Sequence, residues 1–243
     1  MSTRSSSSVG SVNPAGPVPR LRVALVGADG AGKSTITRLL ETAPLPAPVK
    51  RIYMGVNLEA SSLMLPTTRL LVVAKQRRGG RPDLVGTPPA PGAGNPGAAA
   101  SARAAARLLV WICEEWLRQL VAWRYSRAGY LVVFDRHFLA DYFHSDIESS
   151  ATRRPALRSL HGWMLQHAYP RPDLVVCLDA PARVLHARKP ESSPEWLEHR
   201  RLEYLRLSDA VPAFVVVDAD RPVDTVLTDV IEAIRHHWRT ATS

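Results

Sequence analysis

The most specific chemistry in the chain sits in eight consecutive residues. Gly27-Ala28-Asp29-Gly30-Ala31-Gly32-Lys33-Ser34 fits G-x-x-x-x-G-K-[ST] at every fixed position. Glycines let such a loop curl until its backbone N–H groups point inward. A helix opening at Lys33 adds free donors and a favourable dipole. This is a cradle for phosphate oxygens. In it Lys33 reaches the β- and γ-phosphates of ATP, Ser34 puts its hydroxyl on Mg2+, and Thr35 continues the first helical turn.

A second constellation closes the run Leu131-Val132-Val133-Phe134-Asp135-Arg136. In open α/β sheets ligands collect at the carboxyl ends of strands. Asp135 is therefore expected near the loop, holding Mg2+ through water, with Arg136 facing a second anion. The alternative is a surface ion pair at a strand end. Asp29 lies inside the loop, where nucleotide phosphates would repel it. Its carboxylate is expected to face the acceptor side and bind an acceptor hydroxyl; the alternative is a turn-stabilising Asp ahead of Gly30.

A third group is basic. Arg183, Arg188, Lys189, Arg200, Arg201 and Arg206 flank Pro190-Glu191-Ser192-Ser193-Pro194. An arginine-bearing segment at about 188–201 reads as a lid whose cations stabilise a transferring phosphoryl group. For each of these residues a solvated helix face is the competing reading. Arg188 ends the helix that follows an apolar strand and is the favoured catalytic arginine, alongside Lys33, Asp135 and Arg136. No His/Cys/Asp/Glu set has zinc spacing, and no G-x-S-x-G element occurs.

The elements that must position these groups follow from hydrophobic pattern. Short apolar runs at 21–26, 49–54, 131–134, 174–178 and 214–217 read as strands, with helical sequence between them. Near-continuous apolar strands alternating with helices predict a parallel sheet covered on both faces. The fold class is α/β, a three-layer α/β/α arrangement with a five-stranded parallel sheet. A helix is predicted from Lys33 to about Thr42, stopped by Pro44, and another over 58–77, broken near Pro66. Residues 98–127 predict one long helix. On it Leu109, Cys113, Trp116, Leu120 and Trp123 recur at intervals of 4, 3, 4 and 3, one apolar stripe. The stripe suits a core helix first and a homodimer helix second.

Composition bounds the rest. The chain has 243 residues, 46% apolar and 22% charged, which suits a single globular domain at 21–243. Residues 1–20 are rich in Ser, Pro and Gly and read as a disordered tail without the apolar segment of a secretory signal. Residues 79–97 are rich in Gly, Pro and Ala and read as a flexible insert. No run of 18 apolar residues exists, which excludes a membrane-spanning helix. Cys113 and Cys177 sit in apolar runs and read as buried thiols in a reducing, cytoplasmic setting. The net charge is +9, yet no block of basic residues is long enough to track a nucleic acid. The charge is read as serving a small polyanion such as a nucleotide.

These motifs together resemble the thymidylate kinase branch of the P-loop nucleotide kinases. The resemblance is carried by Gly27-x-Asp29-Gly30-x-Gly32-Lys33-Ser34-Thr35, by Asp135-Arg136, and by the run from Pro172 to Pro181, followed by Arg201-Leu202-Glu203-Tyr204-Leu205. It implies ATP and Mg2+ as donor and metal, and a nucleoside monophosphate, thymidylate, as acceptor. It further implies that Asp29 contacts the acceptor sugar, Arg136 the acceptor phosphate, and Arg188 the donor from a lid. Where that family carries Arg-Glu-Pro-Gly-Gly-Thr after its second strand, this chain has Tyr53-Met54-Gly55-Val56-Asn57-Leu58. Two other readings stay open. One is a kinase of a hydroxyl acceptor, with Asp29 or Asp135 taking the proton. The other is a nucleotide-binding protein without turnover.

Overall fold

Five strands form one parallel sheet in the order β2-β3-β1-β4-β5. They are β1 (Arg22–Val26), β2 (Val49–Tyr53), β3 (Leu131–Asp135), β4 (Leu174–Asp179) and β5 (Phe214–Asp218). The structure is a computed structural model and describes residues 20–55, 63–66, 68–69, 98–138, 140 and 156–242. The three central strands β1, β3 and β4 are buried almost throughout. The edge strands β2 and β5 are only partly covered. In β2 the sequence shares in this, since Lys50 and Arg51 interrupt its apolar run, whereas β5 is as apolar as β3 and is uncovered because it stands at the edge of the sheet.

Helices cover both faces. Helix α1 (Lys33–Leu40) packs on β1, β2 and β3 and against the last helix, α6 (Val223–Thr242). On α6 the residues Val226, Val230 and Ile234, spaced by four, are its buried stripe. Helix α2 (Ala98–Arg127) lies on β2 and β3 and touches α3 (Ala156–His167). Two further helices, α4 (Ala182–Arg188) and α5 (Pro194–Leu205), pair with each other beside β4. Ser193 caps α5, its hydroxyl accepting from Trp196 N–H at 3.3 Å, and Pro194 takes the first helical position.

All five predicted strands are present, with ends shifted by a residue at most. Helix α1 ends at Leu40, two residues short of the predicted end. Of the predicted 58–77 helix only Pro66, Thr68 and Arg69 are described as helical. The tail at 1–19 and the insert at 79–97 lie outside the described residues.

Helix α2 corrects one expectation outright. Most of its apolar stripe does not enter the core: Leu109, Leu120 and Trp123 are each more than half exposed and Cys113 is exposed as well, while Trp116 packs partly buried against the core. The inward face instead combines Trp111, Ile112 and Ala122 with Glu114, Glu115, Arg118 and Gln119, all buried. Polar side chains are tolerated there because partners from far along the chain meet them. Glu115 Oε2 lies 3.0 Å from His161 Nε2 and accepts a 2.7 Å hydrogen bond from Tyr169 Oη. Arg118 donates to Gly55 O at 3.0 Å. Cys177 is buried as expected, and burial, then the charge of Asp179, pushes its thiol up to about 12. No described helix is long and apolar enough to cross a membrane.

Candidate active site

Strand β1 runs straight into the loop at 27–34, and two close approaches explain its glycines. A Cβ on Gly27, at φ +137, would lie 2.3 Å from the carbonyl oxygen of Leu178 on β4. A Cβ on Gly30, at φ +87, would lie 2.5 Å from the carbonyl oxygen of Leu185 on α4. The loop is thus pressed between the end of β4 and helix α4. Helix α1 begins at once, with Thr35 N–H and Ile36 N–H both donating to Gly32 O at 3.0 Å. Lys33 is buried and folds back, its Nζ donating to Gly27 O at 2.7 Å and Ala28 O at 2.8 Å. Ser34 and Thr35 stay exposed on the first turn.

The second constellation stands beside the loop because of register. In the sheet Leu25 pairs with Asp135, two residues ahead of Gly27. Asp135 is buried at the end of β3. Its Oδ2 lies 3.8 Å from Arg51 of β2, while its Oδ1 has no hydrogen-bond partner among the described residues. Arg136 has φ 69, a left-handed backbone that costs a side-chain-bearing residue on the order of 1–3 kcal/mol and clusters at functional sites. That turn aims its guanidinium at Asp29, 2.5 Å away. Burial works against the charged form of Asp29. Arg136 and Lys33 outweigh it and hold the carboxyl below the usual aspartate range. Gly55 makes room for this pair, since a Cβ there would lie 2.5 Å from Arg136 Cδ and 2.5 Å from Tyr53 Oη.

A cavity of about 270 Å³ opens on the other side of the loop. Gly30, Gly32 and Thr35 line it together with Arg188 and Arg221. Arg188 donates to Ala219 O at 2.8 Å, tying the end of α4 to the turn after β5. A larger hollow of about 890 Å³ between β5 and α6 holds no loop residue. Its Arg221 and Asp229 are paired with each other. The smaller cavity is the one joined to the loop at 27–34.

The predicted lid resolves into α4, a turn and α5. Arg201 of α5 is held on Asp179, at the end of β4, by a fork of 2.6 and 2.8 Å, with Glu198 2.9 Å away. These contacts push the Arg201 pKa above its ordinary value even though partial burial opposes them. Arg200 pairs with Glu203 and donates to Tyr204 Oη at 3.1 Å, and Lys189 meets Glu191 at 3.0 Å. Of the lid cations, Arg188 is the one that lines the loop cavity. Sequence reasoning missed Arg221 and Asp179. Asp179 ends its apolar strand just as Asp135 does, and that shared position was the available signal, whereas Arg221 lies three residues beyond β5 and had none.

No known family model matches the chain, and no curated protein does. Solved structures do match. A deoxyadenosine kinase from M. mycoides, with the products dCMP and a flexible dCDP bound, is 13% identical over 89% of this chain and 100% of that one, with a TM-score of 0.51. The structure of deoxyadenosine kinase from M. mycoides with bound dATP is 14% identical over 88% and 99%, with a TM-score of 0.50. The fold is that of the P-loop NTPases. In a P-loop fold the strand-end carboxylate and the first helical turn are the metal's places, and the residues present fit Mg2+. Asp135 offers a buried, unpartnered oxygen and Ser34 an exposed hydroxyl, both hard donors. No group of three or more His, Cys, Asp or Glu is gathered for a metal among the described residues. The remaining ligands would be phosphate oxygens and water.

Proposed function

We propose that the chain transfers the γ-phosphoryl group of Mg-ATP to a small acceptor, a nucleoside monophosphate with thymidylate as the first candidate. The observation that carries this reading is the Arg136–Asp29 pair at the mouth of a loop clasped by Lys33. Arg136 is a cation in a strained turn on the side of the loop away from the nucleotide cavity, where an acceptor phosphate would arrive. For such an acceptor the attacking oxygen is already anionic, so positioning and charge neutralisation suffice. Asp29 suits that chemistry better than base catalysis, because its lowered pKa makes it a weak proton acceptor. Lys33 and Arg188 would neutralise the phosphoryl oxygens. When bound at Ser34 and Asp135, Mg2+ supplies further charge neutralisation on the β- and γ-phosphates.

A second reading, phosphorylation of a nucleoside hydroxyl, is favoured by Asp135, whose unpartnered Oδ1 is placed to take a proton. The fold neighbours are deoxyadenosine kinases, in keeping with it. Thymidine and thymidine monophosphate, compared on native and Arg136→Ala protein at saturating Mg-ATP, separate the two. The first reading expects turnover of the monophosphate and a fall of about ten- to 150-fold in Arg136→Ala, the value of one charge-assisted contact. A native enzyme that phosphorylates thymidine and ignores its monophosphate overturns it in favour of the second.

The exposed stripe of α2 supports a homodimer as well. Leu109, Leu120 and Trp123 face solvent in one chain, with Leu160 and Trp163 of the adjoining α3 also about half exposed. Such a large exposed apolar area marks an interaction surface.

A further inference from the structure

One face of α2 bears unsatisfied polar atoms beside the acceptor end of the site. Trp111, Glu114 and Arg118 follow one another at i, i+3 and i+7 and are buried on the same side of the helix. Arg118 joins this row to the site, because its guanidinium donates to Gly55 O and Gly55 abuts Arg136. The guanidinium also lies 5.8 Å from the Trp111 ring and 5.7 Å from the ring of Phe138, two residues beyond Arg136. Glu114 Oε1 accepts from Leu65 N–H at 2.8 Å, so the chain at Leu65 packs on the helix here. Among the described residues Glu114 Oε2 has no hydrogen-bond partner, and neither has Trp111 Nε1 or Thr68 Oγ1, although none of these residues is more than 2% exposed.

Buried polar atoms nearly always find partners, and each one left bare costs about 1–3 kcal/mol. Three in one small region, on two elements that meet, are a cost that core packing does not call for. Taking phosphoryl transfer to a nucleoside-type acceptor as given, we infer that Trp111, Glu114 and Thr68 form the wall that reads the acceptor, with Glu114 Oε2 accepting a hydrogen bond from an N–H or O–H of its nucleoside part. A carboxylate oxygen accepts, so the ligand atom that complements it is a donor. That donor belongs either to the base or to the sugar. Trp111 Nε1–H complements it as a group that can only donate, suited to a carbonyl or ring nitrogen, and the Thr68 hydroxyl can donate or accept.

The test is a set of binding titrations on the full chain with Mg-ADP present. The ligands are thymidine and deoxyadenosine 5′-monophosphates, their 3′-deoxy analogues, and forms methylated on the base N–H. Glu114→Gln keeps an oxygen for Leu65 N–H but turns the free atom from acceptor into donor. Native protein is expected to bind a parent at least tenfold more tightly than one of its stripped analogues. Glu114→Gln should bind that pair alike. Loss of the difference for the 3′-deoxy pair assigns the sugar hydroxyl, and loss for the methylated pair assigns the base. A difference retained in Glu114→Gln, or never present in native protein, overturns the inference. If native protein binds Mg-ATP but none of these ligands, the inference fails together with the nucleoside acceptor, while the P-loop site stands. Absence of Mg-ATP binding would instead overturn the underlying reading. Thr68→Val gives a check that does not rest on Glu114. Removing a bare buried hydroxyl should leave the melting temperature of the free protein equal or higher while weakening acceptor binding several-fold. Unchanged acceptor binding in Thr68→Val contradicts the proposed wall.

Discussion

Gly55→Ala perturbs the acceptor side of the site without touching a charged group. The glycine does not sit in the left-handed region, so the substitution acts through its new Cβ alone. That carbon would meet Arg136 Cδ and Tyr53 Oη, both at 2.5 Å. Contacts that short must relax, and a shift of Arg136 away from the new Cβ loosens its hold on Asp29. Overpacking of this kind costs about 1–3 kcal/mol. For a chain of this size that lowers the melting temperature by roughly 2–4 °C per kcal/mol. The larger effect is on the acceptor: losing the Arg136 contact costs about 1.5–3 kcal/mol, or about ten- to 150-fold in acceptor affinity. Affinity for Mg-ATP should not change, because Lys33 and the cavity by Arg188 lie on the other side of the loop. A double-mutant cycle separates this from general damage. Gly55→Ala in an Arg136→Ala background should lower acceptor affinity by less than a factor of about 2, because the group it displaces is gone. Titration calorimetry with thymidine monophosphate in the presence of Mg-ADP reads all four corners. Fully additive losses, or a matching loss of Mg-ATP affinity, would refute the steric route through Arg136.

Two further outcomes follow from the structure. His137 is buried beside Arg136, and burial, with the charge of Arg22 adding to it, lowers its pKa from the ordinary 6.5 to about 3. The unfolded chain therefore binds a proton that the fold excludes. Stability is unaffected above pH 6.5 and falls as pH drops from 6.5 toward 3, by about 2 kcal/mol at pH 5. Urea unfolding at pH 7.5 and pH 5 should show that loss shrinking in His137→Gln; an equal loss in the variant would assign it elsewhere. For the homodimer, Leu120→Glu places a charge in the exposed stripe of α2 and should convert a dimer to a monomer in sedimentation at micromolar concentration. A native protein that sediments as a monomer throughout contradicts the dimer.

What could be read from the sequence was local chemistry and the five parallel strands. The loop at 27–34 is contiguous, and its glycines answer to short-range geometry. Asp135 reaches the loop because adjacent parallel strands end at one edge, which the apolar run before it already indicated. What escaped was decided by partners far along the chain. The inward face of α2 is polar enough to read as solvent-facing, because the hydrogen-bond partners of Glu115, His161 and Tyr169, lie 46 and 54 residues further along the chain. Periodicity alone therefore selected the wrong side of the helix. Arg201 read as one of several lid cations, and only the fold shows it forked on Asp179. The exposure of Cys113 follows from the same reversal of α2.

The most direct test of phosphoryl transfer uses ATP labelled at the γ-phosphate, incubated with Mg2+ and a panel of nucleoside monophosphates, nucleosides and sugars. Native protein should raise its melting temperature with millimolar Mg-ATP. It should also pass label to a monophosphate in step with ADP formed. Lys33→Ala should remain folded by circular dichroism and lose transfer by a factor on the order of 10²–10³ or more, as expected when a donor to transition-state charge is removed. A native protein that gains no stability from Mg-ATP, or that forms ADP while labelling only water, contradicts the account.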